Sequence, residues 1–422
     1  MKSYLLRAFA LWVRGLLALL SVSLVALFTE YAHAQVRFVR AYGRPGYNDA
    51  RSVQRTSDGG YIVAGRASYI GGGDDILLIK IDTNGDVQWA KTYGGTGYEA
   101  AYSVQQTSDG GYIVAGFTDS FGAGGVDVLL IKTDANGNVQ WAKTYGGINA
   151  DFAYSVQQTS DGGYIVAGET SSFGTGGDIL LIKTDANGDL EWAKTYGGTD
   201  YEAAYSVQQT SDGGYIVAGT TTSFGAGFSD ILLIKINAFG NVQWAKTYGE
   251  AGGEVAYSVQ QTSGGGYIVA GYTWSFGAGF SDILLIKINA SGNLQWAKTY
   301  GGTNDDFAYS VQQTSDGGYI VAGYTVSFGA GGVDILLIKT DANGNLQWVK
   351  TYGGTSNEFT YSVQQTSDGG YIVAGETGYK VFLIKTDVNG DIGSCSIVSS
   401  AIPTLGIISP RVDVASPSVS SP

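Results

Sequence analysis

The chain has 422 residues, 65 of them glycine and 5 proline, and sets 24 basic residues against 37 acids. Such a charge repels nucleic acid and anionic membrane surfaces. His33, Cys395 and Met1 are the only residues of their kinds, which excludes an internal disulfide and any site built from several His or Cys ligands.

The N-terminal segment reads as an export signal. Lys2, Arg7 and Arg14 are basic, Gly15 to Phe28 is apolar apart from two serines, and Ala32-His33-Ala34 precedes Gln35 as a small-x-small cleavage site. The apolar stretch is shorter than the about 20 residues that span a bilayer. With residues 1–34 removed, no histidine remains for acid–base work. The loss of Lys2, Arg7, Arg14 and Glu30 leaves 21 basic residues against 36 acids, a net of −15. The expected location is secreted or cell-surface, with no membrane span in the mature chain.

Residues 35–395 consist of one repeated unit. Tyr-Ile-Val-Ala-Gly begins at Tyr61, Tyr112, Tyr164, Tyr215, Tyr267, Tyr319 and Tyr371, spaced 51 or 52 residues apart. In the second unit, strand a is expected at 102–107, a Ser-Asp-Gly-Gly turn at 108–111, strand b at 112–118, strand c at 127–132 and strand d at 139–145. Strand c is apolar on both faces, so both must be covered. The mature chain opens on Val36-Arg37-Phe38-Val39-Arg40-Ala41-Tyr42, a variant of strand d, whereas the seventh unit runs out after Ile392 without one. A spare first strand and a missing last one predict a closed ring, in which the N-terminal strand completes the last blade. The fold class is therefore all-β, a seven-bladed β-propeller of four-stranded blades. Residues 396–422, rich in Ser, Pro and Val, read as an extended tail.

Gly-Gly-Thr-(acidic), then Tyr-Ser-Val-Gln-Gln-Thr-Ser-Asp-Gly-Gly-Tyr-Ile-Val-Ala-Gly and Asp-Ile-Leu-Leu-Ile-Lys, resemble the bacterial and archaeal seven-bladed β-propeller repeat and delta-60 repeat families. The resemblance covers 35–395 and implies the fold, with little about activity. Asp134-x-x-Gly137-x-x-x-Trp141 is also similar to the tryptophan-docking motif of quinoprotein propellers, one residue shorter. It is read as packing between blades, repeated at Trp89, Trp192, Trp244, Trp296 and Trp348 with Phe38 as seventh member. No cofactor is expected.

Three sets of side chains are candidates for function. Glu99, Asp151, Glu202, Glu254, Asp306 and Glu358 form one circle of acids, with Asp49 displaced by one in the first unit. Asp75, Asp127, Asp178, Asp230, Asp282 and Asp334 form a second, broken by Lys380. These oxygen ligands suit Ca²⁺ weakly, and the favoured reading is that they cap loops. Asp82, Asn84 and Asp86 lack the spacing of a calcium loop and read as a hairpin turn. The third set varies while its surroundings repeat: Arg66, Phe117, Glu169, Thr220, Tyr272, Tyr324 and Glu376 follow Ala-Gly, and Trp274 lies two places beyond Tyr272. A core does not tolerate Arg, Phe and Glu at one position, so these side chains are expected on the loop face, in reach of a ligand. Six arginines, Arg37, Arg40, Arg44, Arg51, Arg55 and Arg66, crowd the first unit and are expected to hold the seam of the ring. The expected function is non-catalytic binding or scaffolding toward an extracellular protein or glycan. The alternatives are a carbohydrate-active enzyme using acids at the mouth, and a structural envelope protein.

Overall fold

The computed structural model describes residues 35–43, 46–68 and 72–393, and the backbone of 398–399, 404–408, 411–414 and 418–420. The expected signal segment 1–34, Arg44 and Cys395 lie outside the described residues.

Each repeat folds into one antiparallel sheet, because its turns reverse the chain every seven or eight residues. In blade 2, strand a is Glu99–Gln106, b is Tyr112–Thr118, c is Asp127–Thr133 and d is Val139–Tyr145. Gly110 and Gly137 take φ of 85° and 73° in the two hairpin turns, a conformation that favours glycine. In the first c–d turn, Asp82 accepts the N–H groups of Asn84 and Asp86 at 2.8 and 2.9 Å, an Asx-type closure. Blades 1 to 6 occupy residues 48–93, 99–145, 151–197, 202–249, 254–301 and 306–352. Blade 7 takes strands a to c from residues 358–386 and its outer strand from Phe38–Tyr42, in the sheet order d-c-b-a. Phe38 stands opposite Lys385 and Tyr42 opposite Val381, so the N-terminal strand closes the ring.

Closure is continuous on the inner side. The serine of each strand a accepts a backbone N–H from the next blade at 3.1–3.2 Å, from Ser52 to Val104 round to Ser362 and Val53. A parallel circle of glutamine carbonyls runs from Gln54 round to Gln364, which accepts the Arg55 N–H.

The core lies between blades. Ile113, Ala115 and Leu130 of blade 2 pack on Ala153, Tyr164 and Val166 of blade 3, and Phe38, Ile372 and Leu383 of blade 7 on Val53, Tyr61 and Ile79 of blade 1. Each such aliphatic or aromatic side chain contributes roughly 1.5–3 kcal/mol. The strand-d tryptophan meets the next blade edge-on, Trp89 with Tyr112 at 5.8 Å and Trp348 with Tyr371 at 5.7 Å. A Cβ on Gly137 would lie 2.9 Å from the Trp89 ring, so the turn glycine is also what lets the tryptophan dock. In six of the seven blades the strand-c lysine is buried and ion-paired with the a–b turn aspartate of its own blade, as in Lys132–Asp109 at 2.8 Å.

The tail is strand-forming in part. Val398–Ser399, Thr404–Ile408, Arg411–Val414 and Ser418–Ser420 add a fifth strand to blades 6, 5, 4 and 3 respectively.

Candidate functional site

Strand a carries a β-bulge in every blade. Its pairing with strand b skips one residue, between Ala101 and Ser103 in blade 2 and between Ala50 and Ser52 in blade 1. A bulge re-aims the extra side chain, here toward the axis. The extra residues are Tyr102, Tyr154, Tyr205, Tyr257, Tyr309 and Tyr361, with Arg51 in blade 1. Successive tyrosine rings lie 4.5–5.3 Å apart. The Arg51 guanidinium closes the circle, 4.4 Å from the Tyr102 ring and 5.8 Å from that of Tyr361, within cation–π range. Asp49 holds Arg51 at 3.2 Å and Arg66 at 3.0 Å. Beneath this mouth, the strand-a valines and glutamines line a channel segment of about 230 Å³.

The variable residues surround the circle. Phe117, Tyr272 and Tyr324 are half-buried and bind it into an aromatic sheet. Tyr272 lies 4.7 Å from Phe307 and 5.9 Å from Trp274, and Tyr324 lies 5.0 Å from Phe307 and 5.1 Å from Phe359. The structure thus brings together Tyr272, Trp274 and Tyr324, with Phe307 between them. Trp274 is 55% exposed, and its indole N–H donates to Ser281 at 2.8 Å. Phe117 meets Phe152 at 5.2 Å on the far side. Burial raises the Tyr272 hydroxyl to about 12.

The charged members lie in blades 1, 3 and 7, Glu376 directly opposite Phe359. Glu169 accepts the hydroxyls of Tyr154, at 2.9 Å, and Tyr201. Glu376 accepts the Tyr47 hydroxyl, and burial raises its carboxyl above the usual range. Arg66 spans Tyr47, Asp49 and Asp74. Thr220 is buried at 4% exposure. Arg51 and Arg66 therefore organise the mouth, while Arg37 pairs with Asp387 at 3.1 Å on the closing blade.

The acid circles lie behind the mouth and point into the loops. Glu99 is fully buried; its carboxylate accepts the Gly95 N–H at 2.8 Å, the Thr118 hydroxyl at 2.7 Å and the Ser120 N–H at 3.2 Å. Glu202 and Glu254 repeat all three bonds, and Glu358 accepts from Gly354 and Thr377. Asp151 and Asp306 are one methylene shorter. They keep the N–H bonds from Gly147 and Gly302 and accept the hydroxyls of Ser172 and Ser327, but leave one carboxylate oxygen each buried without a hydrogen bond. In blade 1, Asn48 holds this position, which is why Asp49 is free to turn toward the arginines. The second circle also accepts loop N–H groups, as Asp127 does from Ala123 at 2.9 Å. These bonds are those of loop caps. Among the described residues, no group of three or more His, Cys, Asp or Glu is placed to hold a metal ion.

The tyrosine circle does not stand out among positions that differ between repeats. Tyr102 and its equivalents recur in six units and look like core. Nothing in the sequence marks the extra residue; it shows only in the pairing of Glu99–Gln106 with Tyr112–Thr118, which skips Tyr102.

A family described as a domain of unknown function forming a beta-propeller matches residues 159–191. "Regulatory protein FlaEY" of Caulobacter vibrioides is 26% identical over 218 residues, 47% of this chain and 21% of that protein; the match spans about a fifth of the relative's length. Among solved structures, the WD40 domain of Neurospora crassa Pan2 has a TM-score of 0.51 at 10% identity, covering 83% of this chain and 95% of that one. A puromycin hydrolase has a TM-score of 0.52 at 11% identity, covering 85% and 54%. At these identities the structural likeness concerns the fold.

Proposed function

We propose that this seven-bladed β-propeller repeat protein is an exported, non-catalytic binding module that holds a neutral glycan in its aromatic mouth. The observation that carries this reading is the closed circle of six tyrosines and Arg51, extended outward over blades 5 to 7 by Tyr272, Trp274, Phe307, Tyr324 and Phe359. Aromatic faces stack on the C–H faces of sugars, while phenolic hydroxyls, Glu169 and Glu376 offer hydrogen bonds at the wet rim. The negative charge of the chain disfavours anionic polysaccharides. Binding is favoured over catalysis because the variable acids Glu169 and Glu376 sit in separate sectors, each engaged by tyrosine hydroxyls, whereas paired-carboxylate hydrolysis needs two acids flanking one bond.

The test is a glycan array followed by calorimetry on Trp274→Ala. Trp274 is exposed, so its removal should change the melting temperature by no more than one or two degrees. It should weaken a glycan held at the mouth roughly tenfold or more, as loss of an aromatic anchor does. Binding of unchanged affinity would place the ligand elsewhere, and an array without hits would remove the glycan reading.

A further inference from the structure

Strand a of each blade runs away from the aromatic mouth, past the glutamines that line the channel, and ends on the far face of the ring. In six blades it ends on a second glutamine. The carbonyl of that glutamine accepts the backbone N–H of the a–b turn serine of the preceding blade, from Ser57 and Gln106 round to Ser315 and Gln365, at 2.7–2.8 Å. The seventh junction, between blades 7 and 1, departs from this pattern. Ser367 is the turn serine there, and the place of the acceptor is held by Arg55, which stands opposite Tyr61 as Gln106 stands opposite Tyr112. A guanidinium has donors and no acceptor. Two donors therefore stand where the other junctions pair a donor with an acceptor.

A cavity of about 400 Å³ opens at this junction, lined among others by Arg55, Ser367, Ser315, Gln312 and Gln364. The carbonyls of both glutamines are engaged, that of Gln312 by the Gln365 N–H and that of Gln364 by the Arg55 N–H. Their amide N–H groups are what remains to offer a ligand. The acids of the two adjoining turns are held by lysines of their own blades, Asp58 by Lys80 at 2.8 Å and Asp368 by Lys385 at 2.9 Å. Arg37, Arg51 and Arg66 each have an aspartate partner. Arg55 is exposed and forms no ion pair among the described residues.

We propose that the junction of blades 7 and 1 is a binding site for a small carboxylic acid, whose carboxylate takes the place of the missing glutamine carbonyl. The fork of the Arg55 guanidinium matches the two carboxylate oxygens, and the Ser367 N–H and the Gln364 amide supply further donors. One cation in a chain of 24 basic residues and 37 acids favours a monoanion over a dianion such as phosphate. The cavity falls in the size range of small-molecule sites, so it has room for the body of the acid as well as its carboxylate. This site lies on the face away from the aromatic mouth and is independent of it.

The probe is sodium trifluoroacetate, its fluorine NMR signal followed as the full chain is titrated in. The expected result is line broadening that saturates, and that sodium acetate reverses while equal sodium chloride or phosphate does not. Arg55→Gln restores the residue of the other six junctions and gives the Ser367 N–H its acceptor. It should melt at least as high as the parent, yet bind trifluoroacetate roughly tenfold more weakly or worse, as loss of a charged hydrogen-bond partner does. Absence of saturable broadening overturns the proposal. So does broadening that survives Arg55→Gln, which would place the anion elsewhere. Competition by chloride or phosphate as strong as by acetate would mean a site without preference for carboxylates and overturn it. An Arg55→Gln variant that melts lower than the parent would show that Arg55 holds the seam itself, and would overturn it too.

Discussion

Lys287 shows how much one turn residue does for a buried charge. In the other six blades the strand-c lysine pairs with an aspartate of the a–b turn, and that aspartate also closes the turn. Lys132 holds Asp109, whose carboxyl is pulled down to about 2 despite some burial, by Lys132 and by bonds from Thr107 and Gly111. Blade 5 has Gly264 at this place; Lys287 donates to the Ile288 carbonyl at 3.0 Å, and burial lowers its pKa. A Cβ on Gly264 meets nothing within 4 Å. Gly264→Asp should therefore stabilise the protein by about 1 kcal/mol, combining a pair whose aspartate faces solvent with the entropy lost by the unfolded glycine. Urea unfolding measures this, and an unchanged or lower midpoint would contradict it.

Asp282 is the opposite case. It is 1% exposed, accepts the Ala278 and Gly279 N–H groups, and leaves one oxygen buried without a hydrogen bond. Burial first, and then the charge of Asp306, raise its carboxyl to about 6. The unfolded residue titrates near 4, so between about pH 4 and pH 6 the folded state binds the extra proton. Stability contributed by this group consequently declines as pH rises through that window. Asp282→Asn keeps an acceptor for the loop and removes the charge. It should raise stability at pH 7 by about 1 kcal/mol and flatten the pH dependence between 4 and 6, read from melting temperatures across that range.

At the scale of the strand, much was legible. Strands b and d of blade 2 span the expected residues, because Tyr112–Thr118 and Val139–Tyr145 are bounded by glycine turns that leave no alternative. Strand a begins three residues earlier than expected, at Glu99. Glu-Ala-Ala there reads as loop, but the bulge at Tyr102 lets those residues resume pairing with Gly116, Phe117 and Thr118. The same bulge explains why only part of the aromatic group was legible in the sequence. Tyr272, Trp274 and Tyr324 were identified by their variation and do gather. Tyr257, Phe307 and Tyr309, against which they pack, lie in strand a and resemble core in any single unit.

Across the whole molecule, the ring depends on its first strand. Phe38 is 3% exposed and serves blade 1 as the tryptophans serve the other blades. Residues 38–42 supply five register pairs to the last sheet. Deleting residues 35–43 removes a core aromatic worth roughly 1.5–3 kcal/mol together with an entire outer strand, and exposes a sheet edge. Loss of cooperative unfolding, or aggregation, is the expected outcome in a thermal melt. A truncated protein melting within a few degrees of the full chain would show that the ring holds without its clasp.

The sequence by itself determined the number of blades, the order of strands within each and the closure by residues 38–42. All three follow from turns and hydrophobic alternation within one unit, counted at a spacing of 51 or 52 residues. Only the tertiary structure decided that six equivalent tyrosines meet about one axis with Arg51 in the seventh place, since side chains from Arg51 to Tyr361 become neighbours only when the ring closes. It alone also decided that strands of identical sequence differ in exposure. Val242–Gly249 lies beside residues 411–414 and Val87–Tyr93 does not, a difference set by where a distant segment of the chain is laid rather than by anything written in the strand.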